Sequence, residues 1–261
     1  MNMKRANAVM VLVSLLAVSS LSGAALIHHW TLDEASLTWD GGVWNGVQNS
    51  VAGNPVGALW GYAETSDLSG VVGQPGVPLY SGDNSFNFIE PSGISGVNTG
   101  VMTAIPATGD FTLLVRMQTT AHVTGQGHLF SNNNNQGGRA NLAVLDGKLF
   151  WFVNGGLNAA SNVAIDSGDT KVNDGQWYHV GVARQGDRFD LLLNGDVVAS
   201  GTSTAQIGVN QLWMIGRMRA FSGDFDGSIA DVKIYDQYIP EPATLLLLGL
   251  GAAVLRRSRK A

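Results

Sequence analysis

The sequence predicts an all-β body: two antiparallel sheets packed face to face. Three observations predict it. Several runs alternate apolar and polar residues with period two. Turn dipeptides of the kind that close tight hairpins separate them. No long amphipathic helical period appears between the two ends of the 261-residue chain. In Phe111–Thr119 the residues Phe111, Leu113, Val115 and Met117 share one face, and Thr112, Leu114, Arg116 and Gln118 share the other. A strand buried on one face has this pattern. Asp146-Gly147 links 141–145 to 148–153, Gly186-Asp187 links 179–185 to 188–193, and Asn194-Gly195 links 189–193 to 196–200. Gly, Asn and Asp supply the positive φ that two-residue β-turns require. Three hairpins within about sixty residues imply a mostly antiparallel sheet, and a face-to-face pair of such sheets is the natural way to bury their apolar sides.

Composition narrows the function. The formal net charge is −5. Residues 26–240 carry nine basic against nineteen acidic side chains, so this body is ten charges negative. Such a surface repels phosphate backbones and argues against nucleic-acid binding. The chain has no cysteine, so a core of this size must hold without disulfides.

Both ends read as addresses. Lys4 and Arg5 precede the apolar run Ala8–Val18, and Ser22-Gly23-Ala24 and Gly23-Ala24-Ala25 both have the small-x-small pattern that signal peptidase cuts. A signal peptide over 1–25, cut near Ala24 or Ala25, is expected. At the other end Ala243–Leu255 is apolar for thirteen residues, about 20 Å as a helix against about 30 Å of hydrocarbon. Its place after Pro240 and Pro242 and before Arg256, Arg257, Arg259 and Lys260 reads as a short stop-transfer helix over 243–255. The basic tip snorkels to lengthen the span and stays on the cytoplasmic side. An exported body, membrane-anchored by its C-terminal helix, follows.

Pro240-Glu241-Pro242, the short apolar helix and the Arg-rich tip together resemble the PEP-CTERM sorting signal, over 239–261. The resemblance implies recognition and cutting by a membrane protease of the exosortase type, in the envelope of a Gram-negative bacterium that makes exopolysaccharide or biofilm. The body resembles a second family, the LamG-like, concanavalin A-like jelly roll. The matching residues are Trp177, His179 and Val180, the Asn194-Gly195 hairpin, and Phe225, Gly227, Ile229, Asp231, Val232, Ile234 and Tyr235, with residues 28–34 similar to the family's first strand. The resemblance implies a two-sheet antiparallel jelly-roll sandwich over 26–238, with first and last strands paired.

No catalytic residue is expected. Glycoside hydrolases need two carboxylates across the site, whereas Glu34, Glu64 and Glu90, the glutamates that precede the sorting motif, have no acidic residue two positions later. Asp224 and Asp226 read as turn residues entering the last strand, and no Gly-x-Ser-x-Gly, His-Glu-x-x-His or P-loop string occurs. His28 and His29 are adjacent, so a strand sends them to opposite faces. His179 reads as a structural core residue. His122 and His128 lie near a loop without an assigned role. The family resemblance implies a structural Ca²⁺ between first and last strands, with Asp33, Glu34 and Asp231 as candidate ligands and Asp40 a further oxygen source. Ala230 stands where that family commonly has its last-strand carboxylate. Trp39, Trp44 and Trp60 stand in a Gly- and Asn-rich stretch. They are the candidate ligand residues, because sugar rings stack on flat indole faces beside amides and carboxylates; the competing role is packing of long loops. The polar run 132–139 reads as a hairpin tip. The expected function is an exported surface module that binds carbohydrate, exopolysaccharide above all. The alternatives are a matrix spacer without a specific ligand and a glycan-active enzyme of the same fold.

Overall fold

A computed structural model describes residues 24–32, 37–40, 43–54, 57–60, 80–81, 85–87, 96–102, 105–132, 138–154, 162–208, 211–218 and 223–239. In strands 37–40, 43–45, 57–60, 80–81 and 85–87 only the backbone is described. Residues 1–23 of the expected signal peptide, Asp33, Glu34, the loop 133–137, the motif Pro240-Glu241-Pro242, the 243–255 helix and the basic tip lie outside these residues.

The described chain forms β1 (Leu26–Trp30), β2 (Leu37–Asp40), β3 (Val43–Val47), β4 (Gly57–Trp60), β5 (Tyr80–Ser81), β6 (Ser85–Asn87), β7 (Gly96–Met102) and β8 (Phe111–Gln118). It continues with β9 (Gln126–Asn132), β10 (Ala140–Leu145), β11 (Lys148–Val153), β12 (Val163–Lys171) and β13 (Tyr178–Gln185). The last strands are β14 (Arg188–Leu193), β15 (Asp196–Thr202), β16 (Gln211–Ile215) and β17 (Ser228–Tyr235). Two antiparallel sheets result. One runs β15-β14-β13-β8-β17-β6-β5 with β1 also on β17, and the other runs β12-β11-β10-β9-β16-β7-β4-β3-β2. The two-sheet antiparallel sandwich expected from the sequence is observed, and no helix occurs among the described residues.

The three hairpins stand where the turn dipeptides put them. β10 pairs β11 across Asp146-Gly147, and both residues have positive φ. β13 pairs β14 across Gly186-Asp187, with Gly186 at φ 57°. β14 pairs β15 across Asn194-Gly195, where Asn194 takes φ 53°. Between the sheets sits one core. Phe111, Leu113, Val115 and Met117 of β8 enter it, as the alternation predicts, together with Val180 and Val182 of β13 and Leu149, Trp151 and Val153 of β11. Trp151 bridges the sheets: its ring lies 6.4 Å from Phe111 and 6.1 Å from Phe189. Arg184 is buried at the end of this core, its Nε donating to the Gly186 carbonyl at 2.7 Å and a terminal nitrogen to the Ala107 carbonyl at 2.7 Å.

The last strand needs an irregularity to keep its apolar residues inside. Ile229, Val232 and Ile234 are all in the core, although 229 and 232 are three apart and a regular strand sends them to opposite faces. A bulge between Ala230 and Lys233 in the pairing with β8 restores the phase, and Asp231 takes φ 56° within it.

Beyond β17 the chain folds back over the outer side of the first sheet. The Thr112 hydroxyl donates to the Gln237 carbonyl at 2.8 Å and accepts from the Ile239 amide at 2.8 Å. The Tyr238 hydroxyl donates to Asp190 Oδ2 at 3.0 Å. Asp190 is fully buried and also accepts from Arg188 Nε and Ser200 Oγ. Burial opposes its ionisation, but the hydrogen bonds from Ser200, Arg188 and Tyr238 outweigh this and hold its carboxyl below the usual range. Replacing Asp190 by Ala strips three donors of their common acceptor. Chemical denaturation is expected to show a loss of about 1–3 kcal/mol, and an unchanged midpoint would show that the strap adds nothing to stability.

Candidate functional site

The nine-stranded sheet has a second face, turned away from the core, and the pairing registers trace a row of residues across it. Thr38 pairs with Gly46, Gly46 with Ala58, Ala58 with Asn98, and Asn98 with Met214. Met214 pairs with Ser131, Ser131 with Asn141, Asn141 with Phe152, and Phe152 with Ala164. Paired residues share a face. The neighbours of Asn141 and Phe152 along their strands, Ala140, Leu142, Trp151 and Val153, are core residues, so the row lies on the outward side.

Trp39 pairs with Trp44, and Trp60 pairs with Gly96. Positions 44 and 60 stand two residues from Gly46 and Ala58, so all three tryptophan positions have the parity of the outward row. This register is invisible in the sequence, where the three residues are merely near one another. Gly96 matters here because the Arg217 stem lies over it: a Cβ at position 96 would come 2.5 Å from Arg217 Cγ.

Toward the other end of the row stand Phe150 and Phe152 on β11, half-buried, their rings 6.4 Å apart and nearly parallel at 9°. The Arg139 guanidinium sits 5.3 Å from the Phe152 ring centre. Between the tryptophan positions and this aromatic pair runs a polar strip. Ser131 Oγ donates to the Arg217 carbonyl at 2.8 Å, and Arg217 faces Asp224, Nε to Oδ1 3.5 Å. His128 on β9 is 1% exposed, and neither ring nitrogen has a hydrogen-bond partner among the described residues. Asn141 Oδ1 and Arg139 Nε are likewise buried, without hydrogen-bond partners among the described residues. Burial pushes the His128 pKa down from 6.5 to about 4, helped by the charges of Arg139 and then His122. His128 is therefore a neutral imidazole at neutral pH, with one donor and one acceptor unused.

The segment beside it is closely fitted. His128 N donates to the Gly223 carbonyl at 3.0 Å. A side chain at Gly223, whose φ is 131°, would come 2.9 Å from His128 Cδ2. Phe225 enters the core and stacks on His122 at 5.5 Å, and His122 Nε2 accepts from the Asp226 amide at 2.9 Å.

The sequence alone gives His128 and His122 no role. His128 is instead a buried strand residue in the middle of the outward face, a fact carried by cross-strand pairing and by no local signal. His179 also differs from expectation. Its side chain is exposed, and its backbone serves the neighbouring turn: its amide donates to Asn194 Oδ1 at 3.0 Å and its carbonyl accepts from the Asn194 amide. His28 and His29 do point apart. His28 stacks on Trp30 at 5.1 Å, whereas His29 Nε2 is 2.6 Å from Asp231 Oδ1.

That last contact bears on calcium. Asp231 is the one of the three candidate ligands within the described residues, and both its oxygens are taken, Oδ1 by His29 and Oδ2 by Lys233 Nζ at 2.6 Å. Its carboxyl lies below the usual range: burial opposes this, but hydrogen bonds from Lys233 and His29 win. A carboxylate already neutralised by the chain's own ammonium group does not fit a Ca²⁺ ligand. The melting temperature is expected to be equal in millimolar Ca²⁺ and in chelator. A higher value with Ca²⁺ would mean that a native-state site exists and that Lys233 is displaced from it.

The fold and its tail define the class. The chain belongs to the concanavalin A-like lectin/glucanases superfamily, whose family model matches residues 92–242. Residues 239–260 match the PEP-CTERM protein-sorting motif, a mark of exported, envelope-associated proteins. Among solved structures the chain is similar to domain 4 of AbnA, a GH43 extracellular arabinanase from Geobacillus stearothermophilus, in complex with arabinotriose. That match has a TM-score of 0.59 and 15% identity over 84% of this chain and 95% of that one. It is also similar to the binding domain of botulinum neurotoxin DC in complex with rat synaptotagmin II, with a TM-score of 0.57 and 10% identity over 86% of this chain and 51% of that one. At these identities the likeness is one of fold. No curated protein matches the sequence.

Proposed function

We propose that this chain is an exported surface module that binds a polysaccharide, the exopolysaccharide of its own envelope, on the outward face of the nine-stranded sheet. One observation carries the reading: a single face outside the core combines an aromatic pair, Phe150 and Phe152, with the Arg139 guanidinium over the Phe152 ring and a polar strip of Ser131, Asn141 and His128 beside them. Sugar rings present apolar C–H faces that stack on aromatic rings, and hydroxyls that both donate and accept. The tryptophan positions 39, 44 and 60, at the far end of the same face, extend the candidate surface along several sugar units. Domain 4 of the arabinanase, seen with arabinotriose, supports the reading by example: this fold accommodates a short sugar chain.

The tail supports display at the surface. A signal peptide within 1–25, cut near Ala24 or Ala25, exports the body. The helix over 243–255 and the Arg256–Lys260 tip hold it to the membrane, and an exosortase-type protease cuts at the Pro240-Glu241-Pro242 signal. The body acts as a binding module without catalysis.

Affinity electrophoresis through gels containing the exopolysaccharide tests the reading. Phe152→Ala is expected to weaken binding about fivefold or more, since losing one stacking ring costs on the order of 1–3 kcal/mol, the range known for bases stacked on aromatic side chains. Because Phe152 is half-buried outside the core, its loss leaves the melting temperature nearly unchanged. Equal retardation of wild type and Phe152→Ala would remove the face from the account. No retardation of either would favour the spacer reading.

A further inference from the structure

The first and last described strands meet at one corner of the molecule, and the contact there bears on how the chain is processed. Leu26 pairs with Tyr235. One residue further out, the Ala25 amide donates to the Asp236 carboxylate, N to Oδ1 2.7 Å, and the Ala25 carbonyl accepts from the Asp236 amide at 3.1 Å. Asp236 is exposed, yet it is not free to swing. The three residues after it are tied to the outer face of the first sheet through Thr112 and Asp190. The carboxylate is thus held against the backbone nitrogen of the residue where the leader is expected to end.

The geometry points to the bond between Ala24 and Ala25 as the one hydrolysed on export, and to Asp236 as the counter-ion of the N-terminus so released. With Ala immediately before the cut, two bonds satisfy the small-x-small requirement, after Ala24 and after Ala25. A cut after Gly23 puts Leu21 at the position that must be small. Hydrolysis after Ala24 adds water across the amide: hydroxyl goes to the Ala24 carbonyl carbon, hydrogen to the Ala25 nitrogen. That amine takes a further proton from solvent at neutral pH. The hydrogen bond from the uncharged amide to the Asp236 carboxylate then becomes an ion pair in the same geometry. Hydrolysis after Ala25 removes both hydrogen bonds at the corner. It leaves the Asp236 carboxylate without its partner four residues before Pro240. The mature N-terminus and the start of the sorting signal are therefore clasped together by one carboxylate.

The inference rests on the reading that the chain is exported, and two measurements separate the two. Intact-mass analysis and N-terminal sequencing of the protein recovered from the envelope are expected to give Ala25-Leu26-Ile27 as the first residues. A chain beginning at Leu26 would overturn the Ala24–Ala25 assignment and leave export standing. A retained leader would overturn both. The second measurement is the acylation rate of the α-amine under a limiting pulse of reagent. Asp236→Asn is expected to speed it by up to about fivefold, the scale of one exposed ion pair. Asp166→Asn, at an exposed carboxylate on β12, is expected to leave it unchanged. Equal rates in wild type and Asp236→Asn would refute the clasp.

Discussion

Trp151→Ala is expected to destabilise the protein by about 3–5 kcal/mol, the usual cost of removing a large aromatic side chain from a packed core. Trp151 is fully buried on β11 and touches Phe111 of β8 and Phe189 of β14, which belong to the opposite sheet. Its loss opens a cavity where the sheets meet, and neighbours fixed in strands collapse into it poorly. Domains of this size have total stabilities near 5–15 kcal/mol, so the variant sits close to the edge of folding. Trp151→Phe gives the contrast. The indole nitrogen is buried with no hydrogen-bond partner among the described residues, so Phe keeps most of the apolar contact and relieves that donor. Its expected cost is below about 1.5 kcal/mol. Urea denaturation of the two variants checks the pair. A small loss in Trp151→Ala would mean that the sheets are held together elsewhere.

His128 is expected to dominate the loss of stability between neutral pH and pH 4. Its folded pKa, about 4, lies below the ordinary 6.5, so the unfolded chain binds the proton more readily. A base depressed in this way contributes its full stability above pH 6.5 and loses it as pH falls toward 4. A shift of that size corresponds to on the order of 3 kcal/mol. His28 and His122 are also lowered by burial, and the charge of Asp226 offsets part of the effect at His122. Their contributions run the same way, so the comparison must be made against His128→Leu. That variant removes the titrating group and two unpaired nitrogens. It is expected to match or exceed wild-type stability at pH 5 and to show a flatter profile from pH 6.5 to 4. Parallel wild-type and variant profiles would mean that the imidazole is hydrated in solution.

Much of the fold was legible in the sequence because its signals are local. Asp146-Gly147, Gly186-Asp187 and Asn194-Gly195 each close the expected hairpin, and Phe111, Leu113, Val115 and Met117 enter the core as their spacing requires. The site was legible in part. Trp39, Trp44 and Trp60 could be nominated by residue type, but their common face follows from pairings with one another and with Gly96 across strands. His128, Asn141 and Phe152 come from three strands and carry no motif. They form one strip because β9, β10 and β11 align them, and a bulge in the β9–β10 pairing adjusts the phase between Phe130 and His128. The Asp231 bulge was equally hidden. The last strand reads as a regular alternation until Ile229 and Val232 must both face inward.

Glycan binding on the outward face of the nine-stranded sheet is read by calorimetric titration of the purified full chain, in detergent, with exopolysaccharide from its own envelope. Saturable heat is expected in wild type, indifferent to Ca²⁺ or chelator, and is expected to be lost in the Phe150→Ala, Phe152→Ala double variant at unchanged melting temperature. Saturable heat of the same size in the double variant would contradict the placement of the site. Absence of heat in the wild type would contradict the function.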